Sequence, residues 1–254
     1  MKRTIFITGG ASGIGFGIAE AMAADGHHII IADINENAAQ QAASALIKAG
    51  GSSSAIALDV CNAEHIASLH EKLGSRNVDI LINNAGIQHV APLEQFPAHK
   101  WQQLIDLMLV APALLTQAFL PAMRAQNYGR IINVGSIHSV VASPFKSAYV
   151  AAKHGLLGFA KTVALETGDC DVTINTLCPA YVKTPLVEQQ IAAQAKEHNL
   201  TEEEVVHKIM LEPMPKKQFI SIEELADTAK FLISNSARNI TGQAMILDGG
   251  WTAR

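Results

Sequence analysis

The sequence predicts an α/β fold, a single domain built on a doubly wound, parallel, seven-stranded sheet with helices on both faces. Three observations predict it. Seven short runs rich in Ile and Val alternate with longer stretches of helical periodicity. Most of these runs are apolar throughout, as strands buried on both faces must be. No proline-rich or low-complexity linker divides the 254 residues.

In chain order, Thr4–Thr8 forms the first strand and runs through a glycine turn into a helix over Gly15–Ala24. The triple isoleucine of His28–Ala32 is the second strand, followed by a helix over Glu36–Ala49. Ala55–Val60 and Asp79–Ile82 are the third and fourth strands, with a helix over Ala63–Leu73 between them. A long apolar helix over His99–Gln126 leads to Arg130–Val134, and a helix over Ala148–Glu166 leads to Val172–Leu177. The stretch 185–219 differs in character, being polar, carrying a capping box at Thr201 and Glu204 and ending in "EPMPKK". It reads as a small helical lid inserted before the helix Ile222–Asn235 and the last strand, Ala244–Leu247.

With 49% apolar residues there is ample side chain for a core. The net charge of -4 is mild and no block of like charge stands out, so neither nucleic acid nor an anionic membrane is an expected partner. Cys61, Cys170 and Cys178 have neither CxxC nor metal-ligand spacing, which leads us to expect reduced thiols, no metal and a cytoplasmic location. The opening "MKRTIFITGG" holds too short an apolar run for a signal peptide or a membrane span.

The first motif with chemical content is "TGGASGIG", which sets Gly9, Gly13 and Gly15 after the first strand and at a helix start. Glycines there permit a tight turn and close backbone approach, and the helix N-terminus offers unpaired N–H groups to a pyrophosphate. A glycine turn without a ligand has the same local sequence. Asp33, ending the second strand about twenty residues on, adds a carboxylate able to accept from a ribose diol and to repel a 2′-phosphate. It could equally be a loop carboxylate or the cap of the next helix. Neither the turn nor "DINEN" holds a cation for that phosphate, which favours NAD over NADP.

The glycine turn, "LDV" with Asp59, "NNAG" at Asn83 to Gly86, Ser136, "YVAAK" at Tyr149 to Lys153 and the closing "DGG" resemble, in order and over the full length, the short-chain dehydrogenase/reductase family. The resemblance implies a Rossmann-type fold that binds NAD. Besides Gly9, Gly13, Gly15 and Asp33, it implies cofactor contacts from Ser12, Ile14, Asp59, Val60, Asn83, Ala85, Gly86, Tyr149, Lys153, Pro179, Val182 and Thr184. It also implies a homotetramer built through the long helices and the last strand.

Tyr149 and Lys153 stand four apart on one face of a predicted helix. As a bare pair they could be structural; with Ser136 they form a proton-transfer group. A free tyrosine titrates near ~10, and lowering it to about 7 takes roughly 4 kcal/mol of preference for the phenolate. A nearby ammonium and a positive nicotinamide can supply this. Tyr149 is then the base that takes an alcohol proton, with Ser136 holding the reacting oxygen. The Ser136/His138 pair also suggests a hydrolase, but the G-x-S-x-G elbow is absent. The chain departs from the family at Met108, where members usually carry an asparagine that organises a water linking the lysine to solvent; a thioether cannot hold such a water.

Gln88, His138, Lys146 and Gln190 fall on loops at the carboxyl ends of strands and would surround a small substrate with donors suited to a carboxylate. Singly, each could be a solvated or locally bonded residue. As a set, with Tyr181 and Trp251 narrowing the pocket, they resemble the branch of the family that oxidises (R)-3-hydroxybutyrate to acetoacetate. A reductase of 3-oxoacyl thioesters and a non-catalytic NAD-binding sensor are the competing readings.

Overall fold

The computed structural model describes residues 2–74 and 76–253. Seven parallel strands, β1 (Thr4–Thr8), β2 (His28–Asp33), β3 (Ser52–Ala57), β4 (Ile80–Asn83), β5 (Gly129–Val134), β6 (Val172–Pro179) and β7 (Ala244–Leu247), form one sheet in the order 3-2-1-4-5-6-7. The expected doubly wound sheet is therefore present. Strand order reverses between β1 and β4, and the loops leaving the carboxyl ends of the strands there must part, opening a crevice.

Alternation along each strand divides the core. Ile5, Ile7, Ile29 and Ile31 face the helices α1 (Gly13–Ala24), α2 (Glu36–Lys48) and α10 (Ile222–Ile233), whereas Phe6 and Ile30 face the opposite layer. That layer comprises α3 (Ala63–Ala67), α4 (Leu69–Leu73), α6 (Ala111–Ala125) and α7 (Ser147–Glu166). Each fully buried isoleucine contributes roughly 1.5–3 kcal/mol of transfer free energy, so a strand hydrophobic on both sides is held on both sides.

Three elements differ from the sequence expectation. β3 covers Ser52–Ala57 rather than Ala55–Val60. As an edge strand it tolerates serines, and the His28 ring ties Ser52 and Ser54 to β2 at 2.7 and 3.2 Å. Leu58–Val60 consequently leaves the sheet and reaches the crevice. The helix expected over Ala63–Leu73 breaks at Ser68, whose hydroxyl donates back to the His65 carbonyl. The long helix is α5 (Ala98–Ile105), a π turn over Asp106–Val110, and α6. Pro112 has no amide hydrogen for the carbonyl four residues earlier, at Met108, so regular α geometry cannot run through the junction.

Residues 185–219 hold α8 (Pro185–His198) and α9 (Glu202–Val205), with a small core of Ile191, Val205 and Met210. The expected capping box is present: Glu204 N–H donates to Thr201 Oγ1, and Thr201 N–H to Glu204 Oε2. One close approach fixes the packing of α1 on α10. A Cβ at Gly17 would lie 2.0 Å from Ile222 Cγ2. Gly17→Ala should therefore cost about 1–3 kcal/mol by forcing the two helices apart. The measurement is urea unfolding, where an unchanged midpoint would show that the interface yields freely.

Candidate active site

The crevice is a cavity of about 830 Å³ lined from the ends of β1, β2, β4 and β5 and from α5 through the π turn. Gly9 and Gly13 take φ of +58° and +55°, conformations with little strain only for glycine. A Cβ at Gly15 would lie 2.5 Å from Asn84 Nδ2 and 2.6 Å from the Gly9 carbonyl. Ser12 is the N-cap of α1 but its hydroxyl makes no capping bond, so the first-turn amides are left for a ligand at the cavity wall. That arrangement fits the pyrophosphate of a dinucleotide.

Asn84 braces the turn, donating from Nδ2 to the carbonyls of Thr8 and Gly9 at 2.9 and 3.0 Å, while Thr8 Oγ1 accepts from the amides of Asn84 and Ala85. Asn84, Ala85 and Gly86 line the cavity. Asn83, expected there, does not: it is 4% exposed within β4 and donates to the Asn133 side chain of β5 at 2.9 Å. Strand alternation turns neighbouring asparagines to opposite sides, and "NNAG" by itself does not say which one meets the crevice.

Asp33 lines the far end of the cavity with Asp59 and Val60. Its carboxylate accepts from the amides of Asn35 at 3.0 Å and Ala11 at 3.4 Å. Among the described residues lining the cavity, Lys153 is the sole lysine or arginine, and it stands at the opposite end with Tyr149.

Ser136, Tyr149 and Lys153 meet where β5 and α7 converge. Ser136 is held by its backbone as the N-cap of a short turn, Ile137–Ser139: its amide donates to Ser139 Oγ and its Oγ accepts from the His138 amide. Lys153 is 4% exposed and donates to the Val134 carbonyl at 2.7 Å. Its nitrogen sits 5.6 Å from the centre of the Tyr149 ring. Burial brings the Lys153 ammonium down to about 8. Burial also pushes the Tyr149 phenol above its ordinary range, opposed by a hydrogen bond with Ser136. The chain's own residues thus hold Tyr149 as the neutral phenol, and lowering it falls to the positive charge that arrives with an oxidised nicotinamide. Met108 is buried in the π turn, lines the cavity and packs against Tyr149.

Beside this group is a second, smaller cavity of about 110 Å³ lined by Gln88, Ser136, His138, Lys146, Tyr149, Tyr181 and Gln190, with Pro179, Val182 and Thr184 also on its wall. Trp251 is stacked on Tyr181 at 6.1 Å and edge-on to His138 at 6.3 Å. The residues expected to contact substrate, far apart in the sequence, therefore gather around one small space, which Trp251 reaches only through Tyr181 and His138. The Lys146 ammonium belongs to a residue 8% exposed, lies 5.9 Å from the Tyr181 ring centre, and has no carboxylate in ion-pair contact among the described residues. Burial lowers its pKa. His138 differs from the expectation of a free donor, because both ring nitrogens already reach hydroxyls: Nδ1 that of Ser136 at 3.4 Å and Nε2 that of Ser143 at 2.8 Å. Ser143 carried no signal in the sequence; it lies on the loop before α7 and meets His138 through the fold.

A family model described as enoyl-(acyl carrier protein) reductase matches residues 9–252, nearly the whole chain. The chain belongs to the short-chain dehydrogenase/reductase family. It is 42% identical over 260 residues to the D-beta-hydroxybutyrate dehydrogenase of Rhizobium meliloti (strain 1021), covering all of both chains. It is 42% identical over 254 residues to the D-beta-hydroxybutyrate dehydrogenase of Cupriavidus necator, covering 99% of this chain and 98% of the relative. Among solved structures, L-sorbose reductase from Gluconobacter frateurii, complexed with NADPH and L-sorbose, superposes with a TM-score of 0.93 at 30% identity, covering 100% of this chain and 97% of the other. An oxidoreductase that uses a nicotinamide nucleotide is thereby placed on the geometry above.

Proposed function

We propose that this dehydrogenase catalyses the reversible, NAD-dependent oxidation of (R)-3-hydroxybutyrate to acetoacetate. The observation that carries the reading is Lys146, a buried ammonium without a carboxylate partner among the described residues, in the wall of the cavity that also holds Ser136 and Tyr149. A desolvated cation is costly unless an anion meets it, and a substrate carboxylate does so. The amides of Gln88 and Gln190 line the same space and can donate to its second oxygen. The small volume between Tyr181 and Tyr149 suits a short acid better than a carrier-bound thioester.

When bound, a nicotinamide dinucleotide supplies the hydride acceptor. Ser136 holds the alcohol oxygen and Tyr149 takes its proton, while Lys146 fixes the far end so that a single face of the carbinol carbon is presented. Asp33, with no compensating cation beside it among the described residues lining the cavity, supports NAD over NADP. Helices α8 and α9 act as the lid, bringing Gln190 over the substrate.

We place the enzyme in the cytoplasm as a homotetramer. Its three cysteines are free, and the most apolar 18-residue window of the helical run Ala98–Ala125, of mean hydropathy 1.7, is only 39% buried, leaving an apolar side for a neighbouring subunit. The test is nicotinamide absorbance with purified protein, both enantiomers of 3-hydroxybutyrate, and NAD⁺ against NADP⁺. Turnover confined to the (R) acid with NAD⁺ is expected; preference for NADPH and a 3-oxoacyl thioester would replace this reading with that of a fatty-acid-type reductase.

A further inference from the structure

We propose that in this enzyme the proton taken up by Tyr149 leaves through Ser136, His138 and Ser143, a hydrogen-bonded chain running from the reacting oxygen to the loop before α7. The inference rests on Tyr149 being the acid and base of the reaction. After an alcohol is oxidised, the Tyr149 phenol must lose its proton before the next turnover. Two directions lead away from it. Toward α7, the Lys153 ammonium is buried and its nitrogen is engaged by the Val134 carbonyl, and the adjoining wall is the Met108 thioether, which neither donates strongly nor holds a water. Toward the substrate cavity lie Ser136 and His138, side chains that both donate and accept.

Tyr149 and Ser136 line the same cavity wall, the Ser136 hydroxyl lies 3.4 Å from His138 Nδ1, and His138 Nε2 lies 2.8 Å from the Ser143 hydroxyl. Ser143 is partly exposed, so the chain ends at water. The 3.4 Å step is long for a hydrogen bond, and such contacts tighten when substrate fills a site. Burial and the Lys146 charge hold His138 neutral, down to about 4, which leaves it one N–H to give and one nitrogen to receive.

The transfer balances without any change in oxidation state. The Tyr149 O–H proton passes to Ser136 as the Ser136 proton goes to Nδ1. The Nε2 proton then goes to Ser143, and the Ser143 proton goes to water, leaving the phenolate and a hydronium. The imidazole returns to its first tautomer by proton exchange with water once product has left the cavity, the Nδ1 proton passing to water and Nε2 taking one from water. In ketone reduction the same path delivers a proton inward. This use of both ring nitrogens explains why His138 sits in the substrate wall with neither nitrogen free.

The test is Ser143→Ala beside Ser143→Thr, assayed in steady state with NAD⁺ in H₂O and D₂O. Because any secondary alcohol supplies the proton, cyclopentanol is assayed alongside (R)-3-hydroxybutyrate. Turnover of cyclopentanol alone would overturn the substrate assignment while still testing the relay. Removing a proton-transfer group costs about 10²-fold or more. We therefore expect Ser143→Ala to lower kcat by about that factor with KM unchanged and a larger solvent isotope effect, and Ser143→Thr, which keeps the hydroxyl, to restore the rate. Wild-type kcat in Ser143→Ala would overturn the relay. So would a loss expressed in KM for the acid alone, which would make His138 a substrate contact that Ser143 merely orients.

Discussion

Tyr149→Phe abolishes turnover, with kcat falling about 10²–10⁴-fold, while dinucleotide binding and unfolding temperature stay close to those of the parent. The substitution removes one oxygen from a ring that packs against Met108 and faces His138 edge-on at 5.9 Å, so the packing survives. What disappears is the group that exchanges a proton with the substrate oxygen. Neither neighbour can replace it: Ser136 does not ionise at working pH, and the Lys153 ammonium is turned to the Val134 carbonyl. Steady-state rates give the first half of the result and dinucleotide titration by fluorescence the second. A variant retaining a tenth of parental turnover would remove Tyr149 from the proton-transfer step.

The second large effect falls on substrate choice. Lys146→Met keeps an unbranched apolar chain of similar length in the cavity wall and deletes the charge. Truncating a buried member of a charge pair costs about 2–5 kcal/mol, so KM for (R)-3-hydroxybutyrate should rise at least about 30-fold. The methyl ester of the acid, which has no charge to lose, should be affected little. The variant should also be at least as stable as the parent, because burial disfavours the Lys146 ammonium and no carboxylate among the described residues offsets that cost. Paired KM measurements and a thermal melt decide it, and equal losses for acid and ester would remove the carboxylate from the role given to Lys146.

Much of the fold was legible because its signals are local and cooperative. A strand such as Ile29–Ile31, apolar on both faces, fits only the interior of a covered sheet, and a positive-φ turn such as Gly9 to Gly13 announces itself by residue type. Legibility failed where two local solutions had similar cost. At β3 the strand took the serines because His28 of the neighbouring strand gave them partners. At Met108 the helix pattern was unbroken in the sequence, and the cost of Pro112 decided the π turn. At "NNAG" the choice between Asn83 and Asn84 depended on which one strand pleating turned toward the glycine loop.

The sequence by itself determined the sheet, the phosphate turn and the identity of the groups that exchange a proton, because each is encoded by residue types that no other structure or chemistry uses as well. Tertiary structure alone decided what surrounds them. It left Lys146 buried without a counter-charge among the described residues, and it placed Ser143 on the far nitrogen of His138. Both facts arise from packing between loops distant along the chain, where desolvation sets the cost of a charge and a distance of 2.8 Å sets the path of a proton. Neither quantity exists until the chain has folded.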